Sequence, residues 1–182
     1  MHYDYDEADV RRMVEQLAER IVAALPPDRP INVVGIRTRG EVLAARLVEM
    51  LASHGYPKIG RGVLDITLYR DDLSEIGPRP LVRPTQIATT IDGIPLLLVD
   101  DVLFTGRSIR AALCALTDFG RPSSIRLAVL VDRGGRELPI QPDFVGLTLS
   151  VVPSDYRVNV RLKETDDVDQ ILVERKADAA VE

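Results

Sequence analysis

Three apolar runs constrain this chain most: Ile31 to Ile36, Leu96 to Val99 and Leu127 to Val131. Apolar and polar residues do not alternate along them as they would in a half-solvated strand, so each run reads as a strand covered on both faces. Between them lie segments with helical spacing. Residues 9–25 set Val10, Met13, Val14, Leu17, Ile21 and Leu25 on one face, and Pro26-Pro27 stops the run. Glu41 to Ser53 repeats the pattern with Val42, Leu43, Leu47, Met50 and Leu51 inward, and Ser108 to Phe119 forms a third helix closed by Gly120. Val63 to Tyr69 alternates like a strand. Pro95 to Val99, Ser124 to Val131, Phe144 to Val152 and Arg157 to Leu162 supply further strands. Strands that alternate with helices predict an α/β fold, with a mainly parallel central sheet flanked by helices.

The 182 residues suit one domain, so residues 1–182 read as a single unit. Residues 70–90 are rich in proline and charge and have no period, which predicts a long mobile excursion of the kind that serves as a lid. Residues 177–182 read as a frayed tail. One cysteine, Cys114, excludes a disulfide framework or a cysteine-based zinc site; its neighbours Leu113 and Leu116 suggest a core position. Two histidines, His2 and His54, are too few for an imidazole metal cluster. No apolar run approaches the roughly 20 residues of a membrane span, and an acidic N-terminus is unlike a signal peptide. A cytoplasmic protein is the simplest expectation. Of the 23 basic residues only those at positions 58, 163 and 176 are lysine. Arginine suits bidentate phosphate contacts, although genome composition gives the same excess. The net charge of −5 lacks the bulk basic footprint of a nucleic-acid binder.

The stretch richest in chemistry runs from Leu96 through Asp100-Asp101 to Thr105-Gly106-Arg107-Ser108. A buried strand delivers two carboxylates to its end, and a short loop then opens a helix. Backbone N–H groups at that helix start, with the hydroxyls of Thr105 and Ser108, suit a phosphate monoester, and the macrodipole adds about half a positive charge. Two carboxylates beside a phosphate make sense only if something between them needs acceptors or a cation, and vicinal ribose hydroxyls with Mg²⁺ meet that need. The bland reading has the aspartates in a solvated turn and Thr105 or Ser108 capping the helix. Gly35-Ile36-Arg37-Thr38-Arg39-Gly40 has the glycine spacing of a Walker A loop, but Glu41-Val42 stands where Lys and Ser/Thr belong. No dinucleotide-binding Gly-x-Gly-x-x-Gly follows a strand.

Residues 96–108 resemble the 5-phosphoribosyl-1-pyrophosphate (PRPP) signature of type I phosphoribosyltransferases. Together with Gly35 to Gly40, Asp65 to Leu73, Gly120 to Ile125 and Val131 to Pro139, they resemble the PyrR family, pyrimidine-operon regulators that are also uracil phosphoribosyltransferases. The likeness runs from about Val10 to Glu174.

The resemblance implies a type I phosphoribosyltransferase fold with a small hood and a flexible lid loop, and conversion of uracil and PRPP to UMP and pyrophosphate. It assigns the ribose hydroxyls, and indirectly Mg²⁺ carried with PRPP, to Asp100 and Asp101. The 5-phosphate falls to Val102, Leu103, Phe104, Thr105, Gly106, Arg107 and Ser108. Thr38 and Arg39 match the pyrophosphate loop, Tyr69 and Arg70 the start of the lid, and Asp132, Arg133, Gly134 and Val158 the base site. Asp100, Asp101, Arg39 and Arg70 are the candidate catalytic residues. The family also implies a homodimer or higher homo-oligomer and binding of pyrimidine-operon mRNA. Here Glu15, Gln16 and Glu19 stand on the first helix where polar or basic residues are expected of RNA-binding members, and Gln141 and Leu147 replace basic positions. Arg11, Arg12, Arg136 and Arg161 remain as candidate phosphate contacts. Open alternatives are an RNA-binding attenuation regulator with residual transferase activity, and a phosphoribosyltransferase for another base.

Overall fold

A computed structural model of the chain describes residues 3–25, 27–69, 83–87, 89–150 and 152–176. In chain order the elements are β1 (Tyr3–Tyr5), α1 (Glu7–Ala24), β2 (Ile31–Ile36), α2 (Arg39–Ser53) and β3 (Ile59–Leu64). Then come β4 (Gln86–Ile87), β5 (Pro95–Leu103), α3 (Arg107–Leu116), β6 (Ser124–Asp132), β7 (Phe144–Thr148), β8 (Tyr156–Arg161), α4 (Lys163–Asp166) and β9 (Gln170–Arg175).

Six strands form the central sheet in the order β4-β3-β2-β5-β6-β7. All neighbours in it are parallel except β4, which runs antiparallel to β3. The doubly apolar strands are covered as expected. Along β5, Leu97 and Val99 meet a cluster built with α1 and α2, whereas Leu96 and Leu98 meet a second cluster built with α3. Fully burying one such side chain contributes about 1.5–3 kcal/mol, so this strand alone anchors much of the sheet. A smaller antiparallel sheet, β1-β9-β8, places Val160, Leu162, Ile171 and Val173 in the α1–α2 cluster and forms the hood.

Several boundaries differ from those read in the sequence, for local reasons. Helix α1 starts at Glu7 because Asp6 and Asp9 cap it reciprocally, each side chain accepting from the other's N–H at 3.0 and 3.2 Å. Helix α2 starts at Arg39, two residues early. Helix α3 ends at Leu116, and Thr117, Asp118 and Phe119 continue it in tight turns bonded to the carbonyls three residues back. Strand β3 stops at Leu64, and Thr67–Tyr69 is a single 3₁₀ turn instead of a strand end. Strand β7 stops at Thr148. The excursion after residue 69 returns to the sheet before Thr90, since Gln86 and Ile87 pair with Val63 and Gly62. Residues 70–82 and 177–182, including Arg70 and the expected tail, lie outside the described residues. Cys114 is exposed on α3, not in the core.

Candidate active site

Strand β2 leads through α2 to β3 on one side, and β5 leads through α3 to β6 on the other. The winding direction therefore reverses between β2 and β5, and the carboxyl ends of two such strands leave a crevice where ligands bind. That crevice is a cavity of about 400 Å³ lined from both sides. It brings together six of the expected residues: Thr38, Arg39, Asp100, Asp101, Val102 and Ser108. It also exposes Arg37, Asp65, Thr67 and Arg83, which motif reading did not single out.

Two glycines let these walls approach. A Cβ at Gly35 would lie 2.3 Å from the Gly40 carbonyl oxygen, and one at Gly40 would lie 2.5 Å from the Val99 carbonyl oxygen. The spacing that looked like a failed nucleotide loop is thus a close contact between the end of β2, the start of α2 and β5. It presses the Arg37-Thr38-Arg39 loop against the strand that carries the aspartates.

Those aspartates lie within β5, not in a loop after it. Asp100 is 7% exposed, and its Oδ1 accepts the Asp101 N–H at 3.0 Å. The Oδ1 of Asp101 accepts the Val102 N–H at 2.9 Å. Burial, then the neighbouring Asp101 charge, pushes Asp100 well above the ordinary carboxylate range. Burial also raises Asp101, partly offset by its hydrogen bonds and by the nearby Arg39 charge. Two carboxylates that resist ionisation form a site that favours a cation or hydroxyl donors between them. Among the described residues no group of three or more metal-ligating side chains gathers anywhere. The donor set fits a Mg²⁺ ion that completes its shell with substrate oxygens.

Three carbonyls of the loop after β5 are already engaged by N–H donors. Arg136 Nη1 donates to the Phe104 carbonyl at 2.9 Å, Glu137 and Leu138 N–H groups donate to that of Thr105 at 3.0 and 3.1 Å, and Arg110 N–H donates to that of Gly106 at 2.9 Å. An anion would be repelled by carbonyls facing it, so this bracing suits the loop for a phosphate. Gly106 enters α3 at φ 93°, a conformation that favours glycine. No side chain caps the helix there; Thr105 Oγ1 accepts the Arg107 N–H at 3.3 Å. Leu103 is buried in the core, so its side chain does not reach the site. Arg107 pairs with Glu137 at 2.8 Å.

Other expected residues hold structure together. Arg39 grips Asp166 on the hood with two bonds, Nε to Oδ2 at 3.0 Å and Nη2 to Oδ1 at 2.7 Å. Arg133 is 7% exposed; its Nη2 donates to the carbonyls of Pro153 and Tyr156 at 3.1 and 2.8 Å, and its guanidinium lies 3.9 Å from the Phe104 ring centre. Burial lowers its pKa. Asp132 accepts the Gly134 N–H at 2.9 Å and pairs with Arg136 at 2.8 Å. Asp132 to Gly134 therefore stand at the end of β6 beside β5, tying the phosphate loop to the hood. Val158 is half-buried against the α1–α2 cluster. Tyr69 donates its hydroxyl to Asp118 beyond the end of α3, away from the cavity. Arg136 turns inward, which removes it as a contact for an external phosphate chain.

Asp65 opens the Asp65 to Leu73 stretch that carries the resemblance, but a lone carboxylate there gives no sign of its role. It accepts the N–H groups of Thr67 at 2.8 Å and Arg83 at 2.6 Å, fastening both ends of the excursion to the cavity rim. Burial opposes its ionisation, but these bonds and the Arg37 charge outweigh it and hold the pKa low.

A model of the phosphoribosyl transferase domain matches residues 5–163. Fold and site thus define a phosphoribosyltransferase. The chain is 50% identical over 167 residues to the bifunctional protein PyrR of Chloroflexus aurantiacus, covering 92% of this chain and 91% of the relative. It is also 50% identical over 163 residues to that of Thermus thermophilus, covering 90% of each. The chain belongs to the PyrR family. The crystal structure of the hypoxanthine phosphoribosyltransferase of Trypanosoma cruzi superposes with a TM-score of 0.68 at 21% identity, covering 94% of each chain, which shows the shared fold.

Proposed function

We propose that the protein is a cytoplasmic uracil phosphoribosyltransferase that converts uracil and PRPP to UMP and pyrophosphate, and that it also regulates pyrimidine-operon expression through UMP-responsive mRNA binding as a homo-oligomer. The observation that carries the transferase reading is the meeting, in one cavity at the β2–β5 switch, of the buried Asp100 and half-buried Asp101, Val102 and Ser108 on either side of the loop before α3, and an arginine-bearing loop.

The reaction breaks the bond from the anomeric carbon to the pyrophosphate oxygen and forms one to N1 of uracil, whose proton is released. Positive charge develops on the sugar, so the residues' work is positional and electrostatic. The loop from Val102 to Ser108 anchors the 5-phosphate, and Asp100 and Asp101 accept from the ribose hydroxyls. Thr38 and Arg39 face the departing pyrophosphate. Asp132, Arg133, Gly134 and Val158 frame the base from the β6 end and hood, while Tyr69 and Arg70 begin the segment that the family resemblance closes over the sugar to exclude water. Asp100 and Asp101 would help hold the Mg²⁺ carried with PRPP, which would supply positive charge for the leaving group.

The deciding experiment compares turnover of uracil, hypoxanthine, guanine and orotate with Mg²⁺ and PRPP. Turnover confined to uracil supports the reading, and turnover of another base alone overturns it. Arg39→Ala is expected to lower turnover by at least about tenfold, in keeping with loss of one preorganised donor. Its folding loss stays at or below about 1 kcal/mol, because the Asp166 pair is partly exposed. Steady-state rates and thermal melts check both. For the regulatory role, a salt-titrated gel shift on the operon leader is expected to show retardation strengthened by UMP. No retardation with or without UMP rejects that role.

A further inference from the structure

Helix α2 carries Arg39 and Arg46 seven residues apart, two turns along one face, and both meet the short α4 segment that joins β8 to β9 in the hood. Arg46 holds that segment by its flanks. It binds Glu164 through Nε at 2.8 Å and Nη2 at 2.6 Å, and Asp169 through Nη1 at 2.8 Å and Nη2 at 2.7 Å. Asp169, 8% exposed, also accepts the Lys163 N–H at 2.8 Å. The segment is therefore fixed without help from Arg39.

Asp166 lies between these flanks and is itself oriented from behind, accepting the Leu162 N–H at 2.9 Å and the Thr165 hydroxyl at 2.7 Å. Its two oxygens then take the Nε and Nη2 edge of Arg39. That fork leaves Nη1 outside the pair, on a residue that lines the cavity and whose charge acts on Asp101. A free arginine side chain has rotamer entropy to lose on binding, and a carboxylate that fixes it beforehand removes that loss from the reaction.

We propose that Asp166 is a positioning residue for phosphoribosyl transfer: the hood carboxylate holds Arg39 by one edge so that its remaining donor faces the diphosphate of the substrate. The proposal rests on the transferase reading above. It makes the hood part of the diphosphate site as well as a cover for the base.

The test measures kcat and KM for PRPP and for uracil in wild type, Asp166→Asn, Asp166→Ala, Arg39→Ala and the Arg39→Ala/Asp166→Asn double variant. Asp166→Ala is expected to lower kcat/KM for PRPP by about ten- to a hundredfold, the scale of a misplaced reacting group, and to leave KM for uracil unchanged. Asp166→Asn falls between, and in the Arg39→Ala background it adds less than about twofold, because its route runs through Arg39. Glu164→Gln loosens the same segment without touching Arg39, so it is expected to lower the Tm and keep the PRPP parameters. An equal loss in Glu164→Gln, or an undiminished Asp166→Asn effect without Arg39, would show a hood fastener and overturn the proposal. Calorimetric titration of wild type with Mg²⁺ and PRPP separates the two failures. No binding there defeats the transferase reading and this proposal together, whereas wild-type binding with unaltered Asp166 variants defeats only this proposal.

Discussion

Asp100→Asn is expected to make the ligand-free protein more stable and nearly inactive. The carboxyl is buried beside a second carboxyl, and both effects push its pKa up, burial first. A raised folded pKa means that the folded state holds the proton more tightly than the unfolded chain does. The Asp100 contribution to stability therefore falls as pH rises from the ordinary carboxylate range through the raised value. Asparagine keeps an oxygen for the Asp101 N–H without the buried charge. Each kcal/mol so relieved raises the Tm by about 2–4 °C for a chain of this size. Turnover falls about a hundredfold, since a hydrogen bond to a charged group contributes about 1.5–3 kcal/mol. Thermal melts at pH 5 and 8 with steady-state rates check this, the Tm gain being larger at pH 8. Near-normal turnover would remove Asp100 from the sugar site, and a lower Tm at pH 8 would mean that its charge supports the fold.

The second large effect is expected at Gly40. A methyl there would stand 2.5 Å from the Val99 carbonyl oxygen and 3.2 Å from the Asp100 Cα, both backbone atoms of the central strand. Nothing at the contact is a flexible side chain, so either α2 or β5 must move. Overpacking of this kind costs about 1–3 kcal/mol, and Gly40→Ala belongs at the top of that range. The Tm falls by about 6–12 °C. Turnover falls with it, because the displaced segment carries Thr38 and Arg39 on one side and Asp100 on the other. Differential scanning calorimetry and rates at a temperature where the variant is folded separate the two losses. An unchanged Tm and rate would mean that the close approach of α2 to β5 is not required.

What was legible in the sequence follows from where burial imposes a period. Strands β2, β5 and β6 and the three long helices were readable because both faces, or one stripe, had to be apolar. The hood was half missed. The strands expected from the sequence end at Leu162; Ile171 and Val173 alternate in β9 beyond that point, whereas β1 is three residues on an edge and gives no signal. The motif after Leu96 pointed to a stretch whose Asp100, Asp101, Val102 and Ser108 line the cavity, yet charge and hydrogen bonding within it were unreadable. Nothing local in Arg39 tells that Asp166, 127 residues away, takes its guanidinium, or that Arg133 turns to the carbonyls of Pro153 and Tyr156. The two glycines flanking Arg37 to Arg39 have the spacing of a nucleotide loop without its Lys and Ser/Thr, which says nothing of what they do instead. Their role is steric, and it appears only once β5 lies beside β2.

The most direct test of the whole account is a crystal structure with Mg²⁺ and PRPP, or with UMP. The sugar is expected to lie across Asp100 and Asp101, its 5-phosphate in the turn from Val102 to Ser108 and the diphosphate against Thr38 and Arg39. Density for the ligand at another place, with the crevice between β2 and β5 vacant, would contradict it.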